Sequence, residues 1–142
     1  MNLRPSILDG LGILATIGWF CRQYESTYSA IHIKQEIHIE EHEVNDSLKT
    51  VIFRVLREAL NNVAKHSKAN EVLLSLRKTD QAIQLVVRDN GHGFMAEDVL
   101  FRKRSSRGLG LDSMRERTEL AGGTFTIEST DSGTVIQASW PL

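Results

Sequence analysis

Apolar residues between positions 48 and 63 recur every three to four positions, and this pattern constrains the fold more than any other feature of the sequence. They are Leu48, Val51, Ile52, Val55, Leu56, Ala59, Leu60 and Val63. The spacing predicts a helix with one apolar stripe, which must pack against another part of the protein. Asp46 and Ser47 are predicted to cap its N-terminus, and the helix is predicted to run to about Lys65.

Residues on both sides of this helix alternate with period two, which predicts strands with one apolar face. The alternating apolar residues are Ile31, Ile33, Ile37, Ile39, Val72, Leu74, Leu76, Ile83, Leu85, Val87, Phe125 and Ile127, with a last strand over 135–140. Turns at 79–81 and 131–133 predict two hairpins, and a second helix is predicted over 109–121, before Gly122-Gly123. This order predicts an α+β fold, in which helices cover one face of a mostly antiparallel sheet. Glu40, Glu41 and Glu43 are predicted to lie in a solvated loop.

The N-terminal residues predict a further helix from Arg4-Pro5 to about Tyr24. Its apolar residues are Ile7, Leu8, Leu11, Leu14, Ala15, Gly18 and Cys21. Proline at the first helical position favours this helix, whereas each of its three glycines weakens it by roughly 1 kcal/mol relative to alanine. The apolar stripe could face another chain or the rest of this one.

Composition excludes several classes of function. Lys and Arg number 17 against 18 Asp and Glu, so the chain lacks the basic excess of a nucleic-acid-binding protein. The longest stretch without charge, from Gly10 to Cys21, is shorter than the ~20 residues of a membrane span. A single cysteine excludes an intrachain disulfide and fits a reducing compartment. We therefore expect a soluble cytoplasmic domain that contacts neither nucleic acid nor membrane.

Asp89 is the first of three features that a simple sandwich leaves unexplained. It continues the core-facing row of Ile83, Leu85 and Val87, although burying an unpartnered carboxylate is costly. Either a neighbouring group or a ligand must bind it. Asn90-Gly91 alternatively predicts a type I′ hairpin turn, but no matching return strand follows. A ligand site and a plain turn are equally good interpretations of these residues alone.

The second feature is a polar edge on the long helix. Glu58, Asn62, Lys65 and His66 lie three or four positions apart along one side of it. Such an edge suits Mg²⁺ carrying phosphates, because Mg²⁺ takes few protein oxygens and keeps water and phosphate as its other ligands. An ordinary half-exposed helix edge explains the same residues, and it is the better interpretation of this feature taken singly.

The third feature is Gly108-Leu109-Gly110-Leu111, immediately before the second predicted helix. Glycines at a helix N-terminus leave backbone N–H groups free to bind phosphate. The segment is not a Walker A loop, and Ser113 occupies the place of the third glycine in G-x-G-x-x-G. A flexible linker is the commoner explanation of such glycines.

Taken in order, these segments resemble the nucleotide-binding boxes of the GHKL ATP-binding superfamily. Residues 58–66 resemble its N box, 89–94 its G1 box and 107–111 its G2 box, and Gly133-Thr134 resembles the Gly-Thr pair of the adenine pocket. The chain is most similar to bacterial two-component sensor histidine kinases of the nitrate-sensor-like subgroup. In those kinases, segments similar to Leu3-Arg4-Pro5, Leu8-Asp9 and Leu11-Gly12 belong to the second helix of the dimerisation domain. The resemblance implies a Bergerat-type two-layer sandwich with a mixed, mostly antiparallel sheet.

The resemblance also implies roles for the matched residues. Asp89 would accept a hydrogen bond from the adenine 6-amino group, Gly91 and Gly93 would let the backbone pass close to the base, and Thr134 would support the same site. Asn62 would coordinate the Mg²⁺ that bridges the ATP phosphates.

The remaining matched residues would act at the phosphates. The catalytic residues would be Glu58 as the acidic group linked to the chemistry, with Lys65 and His66 near the phosphates. The G2 residues Gly108, Leu109, Gly110 and Leu111 would bind the nucleotide, and the basic stretch 102–107 would lie in a short ATP lid.

The implied organisation has two parts. Residues 1–28 would be the second helix of the dimerisation domain, and residues 29–142 the ATP-binding catalytic domain. The family phosphorylates a histidine upstream of the segment at Leu3, and none of the five histidines lies in a matching motif. We therefore expect a fragment that cannot autophosphorylate alone.

In the full-length protein, the γ-phosphate of ATP would pass to a histidine on the missing helix and then to a response regulator. That protein would be a homodimer, and a membrane anchor in its missing N-terminal part is compatible with this sequence. The alternative function is a nucleotide-binding regulatory module, similar to anti-sigma factors, that sequesters a protein partner. A conformationally cycling ATPase similar to gyrase would need a larger lid and a transducer domain.

Overall fold

A computed structural model of the chain describes residues 10–91 and 110–142. The described helices are α1 (Ile13–Thr27), α2 (Asp46–Asn62) and α3 (Leu111–Leu120), with a 3₁₀ turn at Glu41–Glu43 and a π-helical turn at Val63–Ser67. The strands are β1 (His32–His38), β2 (Glu71–Lys78), β3 (Ala82–Asp89), β4 (Thr124–Thr130) and β5 (Gly133–Pro141).

The strands form one five-stranded sheet in the order β1-β2-β3-β5-β4. β1 pairs with β2 in parallel, and the β2–β3, β3–β5 and β4–β5 pairs are antiparallel. Parallel pairing of β1 and β2 follows from their connection, because the chain crosses over through α2 between them. The predicted α+β fold with a mixed, mostly antiparallel sheet is confirmed.

The core lies between one face of the sheet and the helices. The alternating residues of β2, β3 and β5 are buried on that face, and α2 buries the predicted stripe against them. The N-terminal cap of α2 differs from the prediction. Asn45, rather than Asp46 or Ser47, is the cap, and its Oδ1 accepts a hydrogen bond from Leu48 N at 2.8 Å.

The predicted N-terminal helix is interrupted at Gly12, whose φ of 92° is incompatible with an α-helix. α1 begins only at Ile13, and it continues beyond Tyr24 to Thr27. Its buried face also differs from the prediction: Ile13 and Ile17 are fully buried, whereas Leu11 is 67% exposed. The buried face of α1 packs within this chain. Residues 3–9 of the predicted helix lie outside the described residues.

The side chain of Glu41 explains the break at Gly12. The prediction that Glu41 lies in a solvated loop is therefore wrong. The two carboxylate oxygens of Glu41 accept hydrogen bonds from Ile13 N at 2.9 Å and Leu14 N at 3.0 Å, so a side chain 27 or 28 residues away caps α1. Lys49 Nζ lies 2.7 Å from the same carboxylate. A Cβ on Gly12 would overlap the carboxylate, so this close approach requires glycine.

The described part of segment 1–28 shares its core with the rest of the chain, because Ile13, Ile17, Cys21 and Tyr24 belong to the same buried cluster as α2 and the sheet. The division at residue 28 stays a prediction. Among the helices of residues 10–91 and 110–142, none has the length and hydropathy of a membrane span.

Candidate functional site

Asp89 is the last residue of β3 and lies on the core-facing side of the sheet, as its parity predicts. It is 7% exposed, and the row before it, Ile83, Leu85 and Val87, is buried. Gly91 N donates a hydrogen bond to Asp89 Oδ1 at 2.9 Å, which helps to orient the carboxyl group. β2 and β5 occupy both edges of β3, so a strand returning after Asn90-Gly91 would have no free edge of β3 to pair with. The alternative of a hairpin turn at this point is therefore wrong.

A pocket lies beside Asp89, between the end of α2 and the ends of β3 and β5. Four of the predicted site residues line it: Asn62, His66, Asp89 and Thr134. Its other walls are mostly apolar and comprise Ala59, Val63, Ser67, Val87 and Ile136. A mostly apolar pocket with a few convergent polar groups is typical of a small-molecule site.

Gly133-Thr134 brings β5 close to Asp89. Thr134 is opposite Asp89 in the β3–β5 register and is 6% exposed, and its Oγ1 lies 3.0 Å from Ser129 Oγ. Gly133 has a φ of 137°, and a Cβ there would overlap the carbonyl oxygen of Asp89. The strand can therefore start at this point only with glycine, which places the Thr134 side chain in the pocket wall.

The end of α2 is unusual because the α-helix changes into a π-helical turn at Val63–Ser67. Ser67 Oγ donates to Val63 O at 3.0 Å and accepts from Ala69 N at 3.1 Å, which ends this turn. Single π-turns of this kind occur often at functional sites. Here the turn follows Asn62 directly and carries Lys65 and His66, both exposed; His66 lines the pocket and Lys65 does not.

Gly91 makes a close approach, but to protein backbone. A Cβ on Gly91 would overlap the carbonyl oxygen of Ser67, so the segment after β3 packs directly on the end of the π-turn. The resemblance attributes this glycine to passage near the base, whereas its contact in the structure is with Ser67.

Glu58 and Gly110, from the predicted N and G2 boxes, lie next to each other. Gly110 is the N-cap of α3 with a φ of 67°, and a Cβ on it would overlap the Glu58 carboxylate. The neighbouring Leu111 is 8% exposed and its side chain joins the core. The helix N-terminus of the predicted phosphate site is therefore beside the predicted catalytic acid. Gly93, Gly108, Leu109 and the basic stretch 102–107 lie outside the described residues.

Tyr24 is a neighbour of the site that sequence analysis missed. It is 4% exposed, and its hydroxyl donates a hydrogen bond to Leu60 O at 2.8 Å, two residues before Asn62. Burial raises the pKa of the Tyr24 hydroxyl, and the charges of Tyr28 and Asp89 raise it further. The apolar spacing of α1 places a tyrosine on its buried face, but it does not identify the acceptor.

Within the described ranges, no three His, Cys, Asp or Glu side chains are grouped as a metal site. Asn62 is an amide, so a Mg²⁺ ion bound to it would need phosphate and water as its other ligands.

Three comparisons with known proteins concern the family and the fold of this chain. Residues 48–142 match the model of the family described as histidine kinase-, DNA gyrase B-, and HSP90-like ATPase. The oxygen sensor histidine kinase NreB of Staphylococcus carnosus (strain TM300) is 34% identical over 143 residues, which cover all of this chain and 40% of that protein. This chain therefore spans less than half the length of that relative.

Solved structures resemble the fold. The histidine kinase domain of the blue-light activated histidine kinase from Erythrobacter litoralis EL346 has a TM-score of 0.76 at 18% identity, over 92% of this chain and 61% of that one. The histidine kinase AdeS of Acinetobacter baumannii has a TM-score of 0.67 at 15% identity, over 96% of this chain and 72% of that one. These identities are low, so the likeness concerns the fold alone.

Proposed function

Because the chain belongs to the family of histidine kinase-, DNA gyrase B- and HSP90-like ATPases, whose nucleotide is ATP, we propose that it is the ATP-binding catalytic region of a sensor histidine kinase. The observation that carries this proposal is the buried carboxylate of Asp89 in the wall of a pocket. A carboxylate offers about four lone-pair sites, so Asp89 can accept a hydrogen bond from an aromatic amine in the pocket in addition to the one from Gly91 N.

The adenine end of the proposed site is at Asp89. Its carboxylate accepts a hydrogen bond from the 6-amino group of adenine, and the apolar walls around Val63 and Ile136 pack on the ring. Thr134, beside Asp89 on β5, supports the same end of the pocket. These roles follow from the family resemblance, and the burial and proximity of the residues support them.

The phosphate end is at the π-turn and α3. Asn62 is 8% exposed at the end of α2, and its amide oxygen is a suitable ligand for Mg²⁺, whose charge offsets that of the phosphates. The exposed Lys65 and His66 of the π-turn are further candidate donors to the phosphates, and His66 is the one that lines the pocket. The N-terminus of α3 at Gly110 and Leu111 favours an anion, and Glu58, whose carboxylate is next to Gly110, is the acidic residue proposed to act on the transferred group. Gly93, Gly108 and Leu109 stay predictions for this end.

The proposed reaction moves the γ-phosphate to a histidine side chain supplied by a dimerisation helix. Phosphoryl transfer depends on positioning and charge stabilisation, which the residues around Asn62 and Glu58 provide. In the full-length protein the phosphate then passes to a response regulator, and the acceptor helix is presented within a homodimer. A cytoplasmic position of this region is part of the same proposal.

One experiment tests both binding and transfer. The chain is mixed with a separate fragment carrying a kinase dimerisation helix, and ATP affinity and phosphohistidine are measured for the wild type, Asp89→Asn and Asp80→Asn. Asp80 is an exposed aspartate in the turn between β2 and β3, so its variant is the matched control. We expect Asp89→Asn to weaken ATP binding at least about 100-fold, since it removes a charged acceptor from a buried site, and Asp80→Asn to leave it unchanged.

Unchanged ATP affinity in Asp89→Asn would refute the proposed site. Tight ATP binding by the wild type without any phosphohistidine on acceptor fragments would instead favour the regulatory module that sequesters a partner.

A further inference from the structure

Two asparagines, Asn70 and Asn90, join the end of β3 to the start of β2, next to Asp89. Asn90 Oδ1 accepts hydrogen bonds from the backbone N–H groups of Asn70 and Glu71, both at 3.0 Å. Asn90 Nδ2 donates to Asn70 Oδ1 at 2.7 Å, and Asn90 N donates to Glu71 O at 3.2 Å. Four hydrogen bonds therefore hold one exposed residue that belongs to no strand.

The side chain of Asn90 extends the β2–β3 pairing beyond the last backbone hydrogen bond, from Asn90 N to Glu71 O. The β2–β3 ladder ends with the pair Val72 and Asp89. One residue further, the amide of Asn90 satisfies the N–H groups at the start of β2, which the ladder no longer reaches. The carbonyl of Asn70 in turn accepts from His32 N at 2.8 Å, so the anchor also reaches the start of β1.

Asn90 lies between the two residues whose contact orients the carboxylate of the site. On one side, Asp89 faces the pocket; on the other, Gly91 N donates to Asp89 Oδ1 at 2.9 Å. Gly91 also packs on the carbonyl of Ser67, with no space for a Cβ. A shift of the backbone at Asn90 would therefore move Gly91 away from Asp89 and break the hydrogen bond from Gly91 N that helps to orient the carboxylate.

We propose that Asn90, with Asn70 as its partner, is a positioning residue for nucleotide recognition. By anchoring the chain to β2, it holds Gly91 N on Asp89 Oδ1 and so aims the carboxylate at the 6-position of the purine. This inference rests on the proposed function, and it identifies Asn90 as a residue that contributes to the selectivity of the site for adenine.

The test compares ATP with purine riboside 5′-triphosphate, which lacks the 6-amino group, by titration calorimetry on the whole chain. Asn90→Ala should lower ATP affinity about 5- to 10-fold and affinity for the analogue less than about 2-fold, because only ATP uses the oriented carboxylate. Asn70→Ala, which removes the Nδ2–Oδ1 bond but keeps the two bonds to backbone N–H, should reduce the preference for ATP about 2- to 3-fold. Gln81→Ala is the matched control, an exposed amide at the other end of the β2–β3 hairpin.

A merely structural role would lower the folded fraction and weaken both nucleotides equally, so an unchanged preference for ATP in the asparagine variants would overturn the proposal. Thermal unfolding of each variant identifies loss of fold, and the milder Asn70→Ala keeps the test valid if Asn90→Ala does not fold. Asp89→Asn is titrated in parallel. If Asp89→Asn binds ATP like the wild type, the proposed site is wrong. If Asp89→Asn loses the preference for ATP over the analogue while the asparagine variants keep it, only the positioning role is wrong.

Discussion

The carboxylate of Glu41 is expected to stabilise the chain by capping α1 from a distant part of the sequence. It accepts hydrogen bonds from Ile13 N and Leu14 N, and Lys49 Nζ lies 2.7 Å away. Glu41→Ala removes the cap from two backbone donors, a change that typically costs about 0.5–2 kcal/mol. It also deprives Lys49, whose side chain is 15% exposed, of its nearest anion. We expect Glu41→Ala to lower the free energy of unfolding by about 1–2 kcal/mol and Tm by about 3–6 °C.

The same interaction predicts a pH dependence. Desolvation raises the pKa of Glu41, but the hydrogen bonds from Lys49, Leu14 and Ile13 outweigh it, so the net pKa lies below the ordinary 4.5. A carboxyl whose pKa is lower in the folded state adds stability above its unfolded pKa, and this stability is lost as pH falls through the folded value. The difference in stability between the wild type and Glu41→Gln should therefore shrink below about pH 4.5.

The measurement is urea unfolding of the wild type, Glu41→Ala and Glu41→Gln between pH 3 and pH 7. Glu128→Gln, at an exposed glutamate of β4, is the control and should stay within about 0.5 kcal/mol of the wild type. The capping argument is refuted if Glu41→Ala is as stable as this control, or if the difference between the wild type and Glu41→Gln is the same at pH 3 and pH 7.

Two further predictions concern the site and its surroundings. Tyr24→Phe should cost about 1 kcal/mol in urea unfolding, because it removes the hydrogen bond to Leu60 O while Val63 N still donates to that carbonyl; Tyr28→Phe, at a more exposed ring, should cost almost nothing. The pKa of Tyr24 is raised in the folded state, so the stability that its hydroxyl adds should be lost as pH rises above about 10. If the wild type and Tyr24→Phe lose stability equally above this pH, the prediction is wrong. Asn62→Ala should weaken ATP binding about 10-fold in Mg²⁺ and much less in EDTA, whereas Asn61→Ala, the neighbouring amide, should change neither; equal losses with and without Mg²⁺ would exclude Asn62 as a ligand.

The regular elements were predictable because each repeats a local period. The 3.6-residue stripe of α2 and the alternation in β2, β3 and β5 depend on burial of one face, which sequence spacing records directly. The parity of Asp89 predicted its burial for the same reason. By contrast, the start of α1 depends on Glu41, far along the chain, and local helix signals in residues 4–24 contain no information about that contact.

The residues that sequence analysis missed lie where regular elements end. Glu41 caps the first residues of α1, Asn90 follows the last residue of β3, and Tyr24 binds the carbonyl of Leu60 near the end of α2. Backbone groups at the ends of helices and strands lose their regular partners, so side chains from elsewhere must satisfy them. Pocket residues such as Asp89 and Asn62 occupy the same ends. A substitution that loosens an end contact should therefore alter nucleotide affinity before it unfolds the core, and nucleotide titration together with thermal unfolding of Asn90→Ala separates these two effects.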